Sequence, residues 1–270
     1  MPKQKASEVA IDLFDSSIYP NGLTEGSAWL GFYQTLIWFE ESLSEGVPPL
    51  LHIIDSDKLR PAVSLDMKYS QKSKIWVHRA RMVAEYLAKE LNVSIDDLPN
   101  KVGRLFNHPN WKGRQKNNPL GIGLVALVSH CLRKFSADEF DFQIECHANS
   151  IFPDIRIPGR SKDPRIDILA HFDGIPRAIV SCKWSVRHDR LGDITSECTV
   201  YKAEALRSRL KLDYYLITNE YDPARLSKIL DDSCIDNVVH VHKHAVVDVC
   251  GLDDRLIKLL DLSVFLKKFK

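Results

Sequence analysis

No stretch of this chain approaches the roughly 18 consecutive apolar residues that a membrane-spanning helix needs, so no segment reads as a span and no membrane partner is expected. The opening residues, MPKQKASEVAIDLF, lack an apolar leader core and a small-residue cleavage site, and a cytoplasmic home is the resulting expectation. Cysteine occurs only singly, at Cys131, Cys146, Cys182, Cys198, Cys234 and Cys250, with no CxxC pair. That spacing excludes a zinc-ribbon framework and predicts reduced core thiols. An excess of charge is also missing, since 37 Lys and Arg face 36 Asp and Glu for a net +1. This balance leaves nucleic acid open as a partner, because a neutral chain can still concentrate cations in one cleft. Internal repeats and low-complexity linkers are absent too.

With 270 residues, 44% of them apolar, the chain can bury one good core. The pattern divides near residue 136. Residues 1–135 read as mainly helical, with Ser27–Leu43, Ile75–Leu91 and Gly121–Phe135 as helices. The first of these is aromatic-rich and belongs in a core, with an oligomer interface as the functional alternative. Residues 136–270 read as α/β: strands over Phe140–His147, Ile166–Phe172 and Ala178–Trp184, with a tight turn at Asp173-Gly174. A helix follows over Leu191–Leu210, then a strand over Leu212–Thr218 and a helix capped by Asp222-Pro223. A strand over Val238–His242 and an amphipathic helix over Asp253–Phe269 close the chain. The two parts are expected to form one compact unit. His240, His242 and His244 read as surface or edge residues and not as zinc ligands.

The informative segment runs from Arg165 to Glu197, RIDILAHFDGIPRAIVSCKWSVRHDRLGDITSE. It sets an aspartate, Asp167, near the start of one hairpin strand and a lysine, Lys183, near the end of the next. Phosphodiester hydrolysis requires a metal to neutralise phosphoryl oxygens, carboxylates to hold it, and a cation to orient the attacking water. Alternation along a strand puts Ser181 and Lys183 on one face. Glu197 follows Lys183 after thirteen intervening residues, and Arg187, Asp189 and Arg190 form an R-x-D-R cluster between them. Arginine pairs with guanine O6 and N7, and aspartate accepts from cytosine N4, so such a triplet selects G and C.

Together these residues resemble the CCGG-specific branch of type II restriction endonucleases, members of the PD-(D/E)xK nuclease superfamily. That branch follows the pattern PD, then (S/C)xK, then thirteen residues, then E, with R-x-D-R directly after the lysine. Ser181-Cys182-Lys183, Glu197 and Arg187-x-Asp189-Arg190 match it. The usual acidic residue two before the lysine is replaced here by Ser181, and Glu197 supplies the missing carboxylate. The resemblance implies that Asp167 and Glu197 bind Mg2+, that Lys183 positions the water, and that Arg187, Asp189 and Arg190 read bases.

For the first carboxylate, Asp167 gives the short hairpin common in the superfamily, while Asp154 in Pro153-Asp154 is the alternative. Glu85 is a candidate for the family's further carboxylate from an upstream helix, set against a solvated surface charge. The basic stretches Lys68–Arg81 and Lys101–Lys116 are candidates for phosphate contact. The implied fold is α/β (mixed), a restriction-endonuclease-like PD-(D/E)xK core with a central mixed sheet flanked by helices, and residues 1–135 as one cleft wall. The implied activity is magnesium-dependent cleavage of palindromic double-stranded DNA containing CCGG, leaving 5′-phosphates and 5′ overhangs. Two-fold sites imply a homodimer at least, with a tetramer possible. The rival readings are a structure-directed nuclease of the same superfamily, such as a junction resolvase or repair enzyme, and a catalytically silent DNA-binding regulator.

Overall fold

Three antiparallel strands, β1 (Phe140–His147), β2 (Arg165–Phe172) and β3 (Ile175–Lys183), begin a six-stranded sheet. It continues in parallel through β4 (Asp213–Thr218), β5 (Asn237–His240) and β6 (Leu259–Asp261), in sequential order. The structure is a computed structural model and describes residues 5–37, 71–110, 118–158, 163–186, 191–252 and 257–270, with backbone alone at 71–78 and 80. Asp173 and Gly174 close the β2–β3 hairpin with φ of 48° and 75°. Positive φ at both central residues is the turn whose twist matches that of the paired strands. β3 is therefore the strand at which the sheet changes from antiparallel to parallel.

The helices are α1 (Ala6–Asp15), α2 (Ala28–Leu36), α3 (Gln71–Leu91), α4 (Pro119–Phe135), α5 (Leu191–Arg207), α6 (Pro223–Leu230), α7 (Lys243–Cys250) and α8 (Leu262–Leu266). Single-turn helices lie at Leu98–Lys101 and Arg104–Asn107. Asn118 caps α4 by accepting from Gly121 N at 3.0 Å, and Pro119 fits the first turn, where an N–H has no partner to lose. Being apolar nearly all round, α4 is sandwiched between α1 and the β1–β3 end of the sheet. All nine residues of α2 are buried, so its aromatics belong to the core of this chain. One continuous apolar cluster runs from Val9 to Phe269, so residue 136 marks a change of secondary structure and not a gap in packing.

Four sequence expectations are corrected. Residues 253–256 lie outside the described residues, and Leu259–Asp261 and Leu262–Leu266 are a strand and a short helix where one long helix was expected. Asp261 accepts from Ser263 N at 2.9 Å, starting a new helix in mid-pattern, and Leu259 pairs with Val238. The helix expected over Ser27–Leu43 ends at Leu36, and residues 38–43 lie outside the described residues.

The expected strand over Val238–His242 stops at His240, and His240 and His242 are buried; only His244 is exposed. His240 accepts from His242 N at Nδ1 (3.1 Å) and shares its Nε2 with the Glu220 carbonyl (3.2 Å), a pairing that requires the neutral ring.

Finally, Cys198 and Cys234 form a disulfide, with Cα atoms 6.0 Å apart. Thr195 on α5 donates to Asp232 at 2.5 Å and Lys202 on α5 pairs with Asp236 at 2.7 Å, which brings the two sulfurs together. A separation of 36 residues hides this in the sequence. Cys131, Cys146, Cys182 and Cys250 are free thiols.

Closing a loop of that length stabilises by about 3–4 kcal/mol in the chain-entropy treatment. Reduction, or a Cys198→Ser/Cys234→Ser pair, should lower the urea midpoint correspondingly; equal midpoints with and without reductant would show that the disulfide contributes nothing. Burial depresses the His240 imidazole from 6.5 to about 3. Below 6.5 the unfolded chain takes up a proton that the folded chain refuses, so stability should fall with acidification through that window, by about 1.4 kcal/mol per pH unit, and be flat above it. The His240→Asn protein should lose this slope between pH 6.5 and 4.5 in urea titrations.

Candidate active site

β2 and β3 pair as far as Ile168 opposite Val180 and then diverge. Divergence would strand the N–H of Cys182, a buried residue, and a buried backbone donor must find an acceptor. The Asp167 carboxylate fills the gap. Its Oδ2 accepts from Cys182 N at 2.8 Å, from Lys183 Nζ at 2.7 Å and, more weakly, from Ser181 Oγ at 3.4 Å. On its other edge β3 stays in the ladder, with Lys183 opposite Thr218 of β4. The lysine backbone is thus fixed from one side and its ammonium from the other.

The diverged strands open a pocket of about 300 Å³ between the N-terminal half of α4 and α5. Asp167, Ser181 and Lys183 line it from the sheet, Glu197 and Tyr201 from α5, Tyr214 from β4, and Asn118, Gly121, Ile122 and Val125 from α4 and its cap. Burial alone would lower the Lys183 ammonium, but the Asp167 carboxylate beside it, with Glu197 adding to the effect, raises it above its ordinary value. Lys183 is accordingly a cation here, suited to orienting an anion or a water and not to accepting a proton.

The structure brings Asp167, Ser181, Lys183 and Glu197 to one pocket. Asp154 is exposed, with φ of 63°, and is not among the described residues that line it. Glu85 is also elsewhere, paired with Arg81 one helical turn away at 2.9 Å and half exposed, an ordinary solvated helix pair. Arg187, Asp189 and Arg190 lie outside the described residues.

Of the two basic stretches, residues 68–70 and 111–117 are also outside. Arg104 serves a structural purpose: it donates to the Leu13 carbonyl and to Ser17 Oγ, joining its short helix to the end of α1.

Two residues at the pocket escaped the sequence reading. Glu145 lines it from β1, opposite Asp167 by register, but drops out of the ladder between Ile144–Ile168 and Cys146–Ile166. Its φ is 53°, a left-handed conformation that costs a non-glycine residue about 1–2 kcal/mol. Arg165 lies 3.9 Å from it at the pocket mouth. Nothing in FDFQIECH signals such a kink, since the octapeptide alternates as an ordinary strand.

The donor set suits a hard divalent cation. Among the described residues no group of three or more His, Cys, Asp or Glu is close enough to cage an ion. Mg2+ does not need one, because it is typically held by one or two carboxylates and completes its shell with water and phosphate oxygens. Asp167 and Glu197 are two pocket carboxylates that could hold such an ion. Three acids (Glu145, Asp167, Glu197) face two cations (Arg165, Lys183) around the pocket.

No protein-family model matches the chain, and no curated protein matches it.

Asp167 has a structural role whatever the chemistry. Replacing it by Ala leaves the Cys182 N–H unsatisfied and should cost about 1–3 kcal/mol in urea unfolding. Asp167→Asn, which keeps an acceptor, should cost clearly less. Equal losses would show that the Cys182 bond does not matter.

Proposed function

We propose that this chain is a magnesium-dependent type II restriction endonuclease that cuts double-stranded DNA at a palindromic site containing CCGG, on a PD-(D/E)xK core. The observation that carries the reading is the contact between Asp167 and Lys183 across the diverged hairpin, in a pocket that Glu197 completes, with Lys183 four residues before Arg187 of the R-x-D-R segment. On this reading one phosphate and its hydration would enter the pocket of about 300 Å³ and the duplex would lie across its mouth.

Mg2+ held by Asp167 and Glu197 would neutralise the phosphoryl oxygens and lower the pKa of water. Lys183 holds the attacking water or a phosphoryl oxygen by its ammonium, and Asp167 fixes that ammonium. Water oxygen attacks phosphorus in line as the P–O3′ bond breaks, the water's proton passing to solvent and the departing O3′ taking one from solvent, which leaves a 5′-phosphate and a 3′-hydroxyl, the usual outcome for the resembled family along with 5′ overhangs. Arg187 and Arg190 donate to guanine O6 and N7, and Asp189 accepts from cytosine N4. A palindrome presents two equivalent scissile bonds, so the working species is at least a homodimer, with a tetramer also compatible.

The test is digestion of sequenced genomic DNA with the purified protein and Mg2+, followed by sequencing of the ends. Ends converging on one palindrome around CCGG are expected. Ends without sequence preference would point to a structure-directed nuclease, and sequence-specific retention without cutting to a silent regulator. Lys183→Ala should abolish cleavage while DNA retention persists in gel shifts, and cutting by that variant at the wild-type rate would overturn the assignment. Arg187→Ala should cost about 1–3 kcal/mol of base discrimination, roughly 5- to 150-fold.

A further inference from the structure

The chain between Lys183 and the R-x-D-R segment is only Trp184-Ser185-Val186, and it is stitched to the exit of β4. The Trp184 carbonyl accepts from Asn219 N at 2.8 Å and from Thr218 Oγ1 at 3.3 Å. Val186 N donates to Glu220 Oε2 at 2.8 Å. Glu220 is fully buried, and its other oxygen, Oε1, accepts from Asp222 N at 2.9 Å. Arg225 supplies the countercharge at 3.3 Å. A buried carboxylate is expensive to maintain, and this one lies outside the proposed metal site.

Its chemistry is specific. Both carboxylate oxygens accept a backbone N–H from different segments, so an amide at this position must turn its NH2 toward one of the two donors. Aspartate, shorter by one methylene, does not span the same gap.

We infer that Glu220 is a positioning residue for base recognition: it pins Val186, the residue joined directly to Arg187, and so sets where the base-reading segment starts. The inference rests on the endonuclease reading of Arg187, Asp189 and Arg190. Glu220 is fully buried, so its part would be played through Val186 and not by contact with DNA. Loss of the pin should weaken discrimination between bases more than it weakens attraction to phosphates, because phosphate contacts carry no sequence information.

The experiment compares wild type with Glu220→Gln on a CCGG duplex and on duplexes altered at one base pair, with Mg2+, well below the melting temperature of either protein. The expected result is a fall of about tenfold or more in the ratio of kcat/KM between cognate and altered duplexes, as for one misplaced base contact. The Kd for non-cognate DNA in Ca2+ should stay within about twofold. A merely structural role would lower the melting temperature and leave that ratio alone.

A folded Glu220→Gln protein with the wild-type ratio overturns this inference by itself. Wild-type protein that cuts without sequence preference overturns the endonuclease reading and this inference with it. Should the variant not fold, hydrogen exchange on wild-type protein decides: a protected Val186 amide is expected, and one that exchanges like an open loop overturns the pin.

Discussion

The Asp167 carboxylate occupies the place that a backbone carbonyl would hold if β2 and β3 stayed paired. By accepting from Cys182 N and Lys183 Nζ it lets the hairpin open without leaving a buried donor unpaired. The pocket exists because the strands part there. Lys183 points into it because its ammonium is drawn to the residue that closes the gap. Stability and candidate chemistry thus draw on one oxygen, in a pocket also lined by Glu197.

The same economy marks the carboxyl ends of the parallel strands. Thr218, Asn219, Glu220, His240, His242 and Asp261 are polar groups at the exits of β4, β5 and β6, all buried or nearly so. Each has at least one polar partner, although Asn219 Nδ2 and His242 Nδ1 are left without a hydrogen bond. Tyr33 bonds both Asn219 and Tyr221 at 2.7 Å, Trp29 stacks on His242 at 3.8 Å, and Tyr86 bonds His242 at 2.8 Å. Burial would raise the Asp261 carboxyl, yet neighbouring His242, the Ser263 hydroxyl and the N–H groups of Ser263 and Lys243 hold it well below the ordinary carboxylate range. Helices α2 and α3 cover these strand ends with aromatic rings that carry a hydrogen-bonding tip, which suits a surface that is apolar in area but polar in a few atoms.

Local chemistry made much of this fold legible in the sequence. The Asp173-Gly174 turn, the Asp222-Pro223 cap and the alternation in β1 and β2 are decided within a few residues, and all were readable. The last segment was not, because Asp253–Phe269 carries a good helical period while Leu259 is claimed by the sheet, a long-range contact that outweighs local pattern. The buried histidines and the Cys198–Cys234 disulfide failed for the same reason, as their partners lie on other elements. At the site, Asp167, Lys183 and Glu197 were visible through type and spacing, whereas Glu145 and Glu220 were not. Glu145 depends on a backbone kink without a glycine to announce it, and Glu220 on a bond to a backbone N–H 34 positions away.

Glu220 also bears on how chemistry and recognition are joined. Lys183 is set by its ladder position opposite Thr218, and Val186 by a carboxylate two residues further along the same β4 exit. Both ends of the short spacer are therefore referenced to one rigid strand and not to each other. On the endonuclease reading, a displacement of β4 would carry the water-positioning lysine and the start of the base-reading segment together, preserving their separation. A loop anchored only at Lys183 would let that separation drift. Near-attack geometry tolerates errors of well under about 1 Å, so a fixed distance between the base being read and the bond being cut is what an enzyme that cuts only at its own sequence requires.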